Sequence, residues 1–164
     1  MSAAVEAFVS IGSNIEPERH VRAALTGLEK QFGPLRVSTI YRTQAVGFDG
    51  ADFLNLVIAF TTKHDVYAVN HALNELERAN GRQPNAPRFA ARTLDLDLLL
   101  YGDLRINEPG LHLPRTEILK YAFVLQPLAE LAGDYQHPTT GQTFAEHWQA
   151  FELNQSPLVP FEIR

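Results

Sequence analysis

The sequence predicts an α+β sandwich: an antiparallel sheet of β-α-β-β-α-β connectivity, two helices on one face of it, and a C-terminal extension. Three observations lead there. Apolar runs closed by turn residues alternate with stretches of helical periodicity in that order. The length of 164 residues, with 45% hydrophobic and 20% charged content, suits one well-cored domain and is short for two. Finally, the run Arg92-Thr93-Leu94-Asp95-Leu96-Asp97-Leu98-Leu99-Leu100 has the leucine content of a core strand.

Each element has its own warrant. Ala7 to Ile11 is an apolar run closed by Gly12-Ser13-Asn14, a strand and a turn. The turn is not a phosphate-binding P-loop, because no Gly-Lys-Ser/Thr follows. From Pro17 the apolar residues Val21, Leu25, Leu28 and Phe32 recur at helical spacing until Gly33-Pro34 stops them. Leu35 to Tyr41 reads as the second strand and Phe53 to Thr62 as the third. The segment between them, Thr43 to Asp52, holds two glycines and is long for a hairpin, which suits a ligand loop. Asp65 is the expected cap of a second helix with a buried stripe of Val69, Leu73, Leu76 and Ala79 and an end at Gly81. A polar stripe of Asn70, Asn74 and Glu77 runs beside it. Arg82 to Ala91, with two prolines, is a loop into the fourth strand. Beyond Gly102-Asp103 we expect a short hairpin around Ile106 and Leu111. A helix from about Thr116 to Leu125, broken near Pro127, and a tail rich in proline and aromatics complete the chain.

Composition narrows the function. A net charge of -5 and a pI near 5.6 argue against a non-specific nucleic-acid surface. The absence of cysteine removes thiol and zinc-thiolate chemistry. No stretch approaches the 18 or more apolar residues of a membrane span, and Met1 to Glu6 lacks the pattern of a secretory signal. The expectation is a cytoplasmic monomer that engages neither nucleic acid nor membrane.

The fourth strand carries the chemistry. Side chains alternate across a strand, so Asp95 and Asp97 share one face and Leu94, Leu96 and Leu98 the other. Two carboxylates whose backbones stand roughly 7 Å apart repel by about 2 kcal/mol at an effective dielectric of about 20. Oxygen donors favour Mg2+, which typically takes one or two carboxylates together with substrate phosphates. Arg78, Arg82, Arg88 and Arg92 fall within fifteen residues, and a guanidinium fork matches phosphate oxygens. Acid and base flanking one site suit phosphoryl transfer, in which positioning and charge neutralisation supply most of the catalysis. A solvated acidic edge is the structural alternative for the aspartates, as a solvated surface charge is for Arg78.

The run from Arg92 to Asp103 closely resembles the signature of the 6-hydroxymethyl-7,8-dihydropterin pyrophosphokinase family, the folate-pathway enzymes that move pyrophosphate from ATP to a pterin alcohol. Ile11-Gly12-Ser13-Asn14, Tyr41-Arg42-Thr43, Phe53-Leu54-Asn55, Glu77, Gly81-Arg82 and Phe123 extend the resemblance over about residues 7 to 132. It implies a ferredoxin-like βαββαβ sandwich forming one pyrophosphokinase domain over residues 1–164. It implies two Mg2+ ions on Asp95 and Asp97, with Arg82 and Arg92 clamping the transferring group. The pterin would lie between Phe89 and Phe123, lined by Phe53 and read by Asn55 and the backbone near Thr43 and Val46. ATP would be contacted by Asn74, Glu77, Arg82, Arg88, Arg92, Leu98, His112, Arg115 and Lys120.

The chain departs from the family pattern at three places. Pro114-Arg115-Thr116 stands where Pro-His-Tyr or Pro-His-Pro is common, Tyr121 replaces an arginine with Lys120 beside it, and Pro84 occupies an often basic loop position. Arg115 and Lys120 are expected to restore the positive charge at the triphosphate. Three alternative readings are a paralogue with altered pterin or nucleotide use, a ferredoxin-like binding module without catalysis, and a metal-dependent phosphohydrolase with water as the acceptor. An RNA-binding version of that module needs exposed aromatics on central strands and a basic face.

Overall fold

Strand β1, Val5–Ser13, is the centre on which the sheet is built, since it pairs antiparallel with β4 (Phe53–Thr62) on one side and β5 (Asp95–Tyr101) on the other. The computed structural model describes residues 3–45, 50–81, 93–152 and 158–163. Strand β3 (Tyr41–Thr43) joins β4, and β8 (Val159–Pro160) joins β3, giving the order β5-β1-β4-β3-β8. Strand β2 (Arg36–Val37) also pairs with β4. The protein is thus a mixed α/β fold with an antiparallel sheet.

Alternation along β1 separates two cores. Ala7, Val9 and Ile11 join Leu96 and Leu98 under α1 (Pro17–Phe32) and α2 (Val66–Ala79). Phe8, Val57 and Leu99 face the other way, toward α3 (Ala122–Ala132) and α4 (Phe144–Ala150). With helices on both faces, no broad sheet surface is left open among the described residues, of the kind an RNA-recognition sheet uses.

Local chemistry sets the boundaries. Pro17 opens α1 and Gly33, at φ 87°, closes it with its N–H on the Glu29 carbonyl. Asp65 caps α2 by accepting the Ala68 N–H at 2.8 Å. A Cβ on Gly27 would meet Leu76 Cδ1 at 2.9 Å, so this glycine lets α1 and α2 touch.

Several expectations need correction. Leu35 to Tyr41 is not one strand. It splits around Ser38, whose N–H donates to the Val57 carbonyl while its hydroxyl accepts the Val57 N–H, each at 2.9 Å. A side chain thereby replaces the ladder at the break. On α2, Ala79 is exposed and Glu77 takes its place in the buried stripe. The expected helix from Thr116 becomes a 3-10 turn at Thr116–Leu119, and α3 then runs through Pro127 rather than breaking there. Proline removes one helical N–H, but Val124, Leu125, Leu128 and Ala132 keep that helix seated on the sheet. The tail contains α4, closed at its start by the reciprocal Thr143 and Glu146 capping box, and the edge strand β8. The expected hairpin is β6 (Ile106–Glu108) and β7 (Leu111–Leu113).

Candidate active site

Strand β5 is an edge strand, and Asp95 and Asp97 stand opposite Gly12 and Ser10 of β1. Leu94, Leu96 and Leu98 lie in the α1/α2 core, so both carboxylates project on the α3 side, as alternation requires. A β-bulge between Phe8 and Val9 inserts Leu99, and this turns both Leu99 and Leu100 into the α3/α4 core. The outer edge of β5 is covered from two elements. The Glu77 carboxylate accepts the Leu96 N–H at 2.8 Å, and the Arg115 N–H donates to the Leu99 carbonyl at 3.1 Å. Asp97 sits between these two fixings.

The register extends the site inward. Asp95, Gly12, Asn55 and Tyr41 form one cross-strand row, so they share a face. Two strand spacings, about 10 Å, separate the Asp95 and Asn55 backbones. Between them Gly12 leaves room for the Asn55 amide: a Cβ there would meet Asn55 Oδ1 at 2.9 Å. Asn55 Nδ2 donates to Thr43 Oγ1 at 2.6 Å, and both residues are buried. Half-buried Phe53 pairs with Thr43 at the end of the same face.

The turn after β1 ties this corner together. Ser13 Oγ donates to the Thr93 carbonyl at 2.6 Å, just before β5, and Asn14 Nδ2 donates to the Ala51 carbonyl at 3.0 Å, just before β4. In the sequence these two residues stand only as part of a turn and a motif. Polar side chains directly after a buried strand were the available signal, because buried polar groups take hydrogen-bond partners. Below them, Tyr41 donates to Glu130 of α3, and Glu130 also accepts the Thr39 N–H at 2.9 Å. Burial, and then Glu130, push the Tyr41 hydroxyl up to about 12.

On the α3 side Arg115 reaches the site, and a basic and aromatic run follows it in the chain. Arg115 Nη2 lies 3.4 Å from Asp97 Oδ1, and its Nε lies 2.9 Å from Glu117 Oε2. Lys120 Nζ stands 5.4 Å from the centre of the Tyr121 ring, which stacks on Phe123 at 5.0 Å. Phe123 is half-buried against the α3/α4 core. Beside Arg115 an open cavity of about 720 Å³ is lined by Arg105, His112, Thr116, Leu119 and His137, among others. His112 is exposed and meets Asn107 Oδ1 at 3.0 Å through Nδ1.

The remaining expected residues are dispersed. Asn74 is exposed on α2, Glu77 is buried against β5, and Leu98 is a core residue at 3% exposure. Arg78 pairs with Glu75 on the exposed face of α2. Val46, Arg82, Arg88, Phe89 and Arg92 lie outside the described residues, as does Pro84. Among the described residues no cluster of three or more carboxylate or imidazole groups is placed to hold a metal, and Asp95 and Asp97 present two carboxylates on one face. That set fits Mg2+, which completes its octahedron with water and phosphate oxygen. No helix among the described residues is long and apolar enough to cross a membrane.

Residues 8–133 match the family model described as 7,8-dihydro-6-hydroxymethylpterin-pyrophosphokinase. A Pseudomonas aeruginosa protein named 2-amino-4-hydroxy-6-hydroxymethyldihydropteridine pyrophosphokinase is 36% identical over 135 residues, covering 80% of this chain and 83% of that one. A Bacillus subtilis protein of the same name is 32% identical over 138 residues, 82% of each. Among solved structures, wild-type Plasmodium falciparum HPPK-DHPS superposes with a TM-score of 0.73 at 12% identity over 91% of this chain, which spans 45% of that longer one. At that identity the likeness speaks for the fold.

Proposed function

This chain belongs to the 7,8-dihydro-6-hydroxymethylpterin-pyrophosphokinase family and transfers pyrophosphate to hydroxymethyldihydropterin in folate synthesis, with ATP as co-substrate; we propose that it does so at the corner framed by Asp97, Asp95, Asn55 and Phe123. The observation that carries this proposal is the shared face. The cross-strand register brings a carboxylate pair and a buried amide to one end of one sheet surface, with Gly12 as the gap between them.

In this reading the pterin alcohol enters over Gly12. An asparagine amide offers two N–H donors and one acceptor, and Thr43 already fixes its orientation, so Asn55 reads the donor-acceptor edge of the pterin ring. Phe53 lines the same recess, and Phe123 supplies one aromatic wall, with Phe89 as its expected opposite. Asp95 and Asp97 would hold two Mg2+ ions, which would supply charge neutralisation for the phosphates and a lowered pKa for the pterin hydroxyl. Arg82, Arg88 and Arg92 are proposed to clamp the phosphates, with Arg115 and Lys120 adding charge from the α3 side. Asn74 and His112 are proposed to contact the nucleotide further out. No side chain is assigned as a general base, so catalysis is attributed to positioning and electrostatics.

The sheet order β5-β1-β4-β3, with α1 and α2 on one face, supports reading the core as ferredoxin-like, with α3, α4 and β8 as the extension. A monomer in the cytoplasm remains our reading of the sequence.

Calorimetric titration of a pterin alcohol and of a non-hydrolysable ATP analogue tests the site. Both should bind, and Asn55→Ala should weaken only the pterin. Product analysis separates transfer from hydrolysis: inorganic phosphate or pyrophosphate released at an equal rate without pterin would replace this reading with a phosphohydrolase.

A further inference from the structure

We propose that Arg115 is a tethered substitute for the metal: in the nucleotide-free protein its guanidinium neutralises Asp97, and it must leave that carboxylate before a divalent cation can bind there. The proposal rests on the reading of Asp95 and Asp97 as metal ligands. Its basis is the two-sided hold on one guanidinium. Nε is at 2.9 Å from Glu117 Oε2, an ion-pair distance without hydrogen-bond alignment, whereas Nη2 is at 3.4 Å from Asp97 Oδ1, long for a hydrogen bond. The guanidinium is therefore shared between two carboxylates and stands closer to Glu117 than to Asp97.

The backbone makes this a local movement. The Arg115 N–H is fixed to the Leu99 carbonyl at 3.1 Å, and Leu99 is two residues beyond Asp97 on the same strand. Only the side-chain torsions have to change for the guanidinium to withdraw. About one-third of each side chain of the Arg115–Asp97 pair is exposed, so water re-solvates both groups and parting them costs little. A guanidinium and a divalent cation on the same carboxylate oxygen repel, so occupancy by one disfavours the other. A polyphosphate offers Arg115 a bidentate partner and takes it off Asp97. Nucleotide and metal should then promote each other's binding, and linkage makes that promotion reciprocal. A histidine at this position would be largely uncharged at neutral pH and would compete far less.

The probe is Mn2+ alone, with free ion quantified by electron paramagnetic resonance on the full chain without nucleotide. Arg115→Gln should bind Mn2+ about 3- to 10-fold more tightly than wild type, above the median for an exposed pair because neither partner is fully in water. Arg105→Gln, which removes the same charge from the wall of the same cavity, should change affinity by less than about twofold. In an Asp97→Asn background the Arg115→Gln effect should vanish, and saturating non-hydrolysable ATP analogue should shrink it in the Asp97 protein. Thermal melts establish that each variant is folded. Equal Mn2+ affinity in wild type and Arg115→Gln, both sensitive to Asp97→Asn, would overturn the proposal and leave the metal assignment standing. Mn2+ binding indifferent to Asp97→Asn would remove the metal assignment and the proposal with it.

Discussion

Glu77 Oε2 accepts the amide N–H of Leu96 at 2.8 Å, so a buried carboxylate on α2 supplies the partner that edge strand β5 lacks between its two aspartates. Glu77→Ala leaves that buried N–H without this acceptor, a loss of about 1 to 3 kcal/mol. Glu77→Gln keeps an acceptor oxygen and should recover most of the stability. Both variants are compared by urea denaturation, with the Mg2+ concentration for half-maximal turnover measured alongside. Glu77→Ala should need more Mg2+, because the strand holding Asp95 and Asp97 is less firmly seated. A fully stable Glu77→Ala with unchanged Mg2+ dependence would assign Glu77 no part in holding β5.

Asp97→Ala tests the carboxylate pair directly. Its side chain is 31% exposed and lies on the site face rather than in either core, so the fold should survive. Turnover should fall by at least about 10², the lower range for removing a group that stabilises charge in the transition state. Near-normal turnover in a steady-state assay would show that the pair does not serve the phosphates.

Acid sensitivity should come in part from His137. This side chain is buried, and its Nδ1 accepts the N–H groups of Thr139 and Thr140 at 3.1 and 3.2 Å, which only the Nδ1-deprotonated ring can do. Burial first, and then His147 across a 5.7 Å ring separation, hold its pKa below the usual 6.5. In that window the unfolded chain takes up the proton more readily than the folded one. Stability is therefore full above about pH 6.5 and declines as pH falls below it. Melting temperatures measured from pH 7.5 to 5 should fall less steeply in His137→Asn, and parallel curves would remove His137 as a source.

The strands and helices that were legible in the sequence were those whose signal is local. Val21, Leu25 and Leu28 announce α1 by spacing, Asp65 announces α2 by its cap, and the Leu-Asp alternation of β5 places Asp95 and Asp97 on one face. What could not be read depends on distant partners. Ser38 breaks a strand because Val57 is opposite it, α3 continues through Pro127 because the sheet holds it, and β8 exists only as a neighbour for β3. The same division runs through the site. Gly12 and Asn55 are 43 positions apart and Arg115 is 18 beyond Asp97, so their meeting is a property of register and not of any motif. The resemblance implies an ATP contact for Glu77, whereas its buried contact with Leu96 shows a role in the strand that neither the resemblance nor the polar stripe reveals.

Phe123 separates recognition from packing. Its ring stacks on Tyr121 at 5.0 Å with a 21° tilt and is half-buried, so it is neither a free platform nor a fully enclosed core residue. Removing a fully buried phenylalanine costs about 3 to 5 kcal/mol of stability. Losing one stacking face for a planar ring costs roughly 1 to 3 kcal/mol of binding. Phe123→Ala should show the second signature: pterin affinity reduced by about 5- to 150-fold in calorimetric titration, with less destabilisation than a core deletion. Phe123→Leu, which restores apolar volume without a π-face, should recover stability and leave pterin binding weak. If Phe123→Leu recovers both, the residue acts through packing of α3, and the aromatic wall of the pterin recess must come from another side chain.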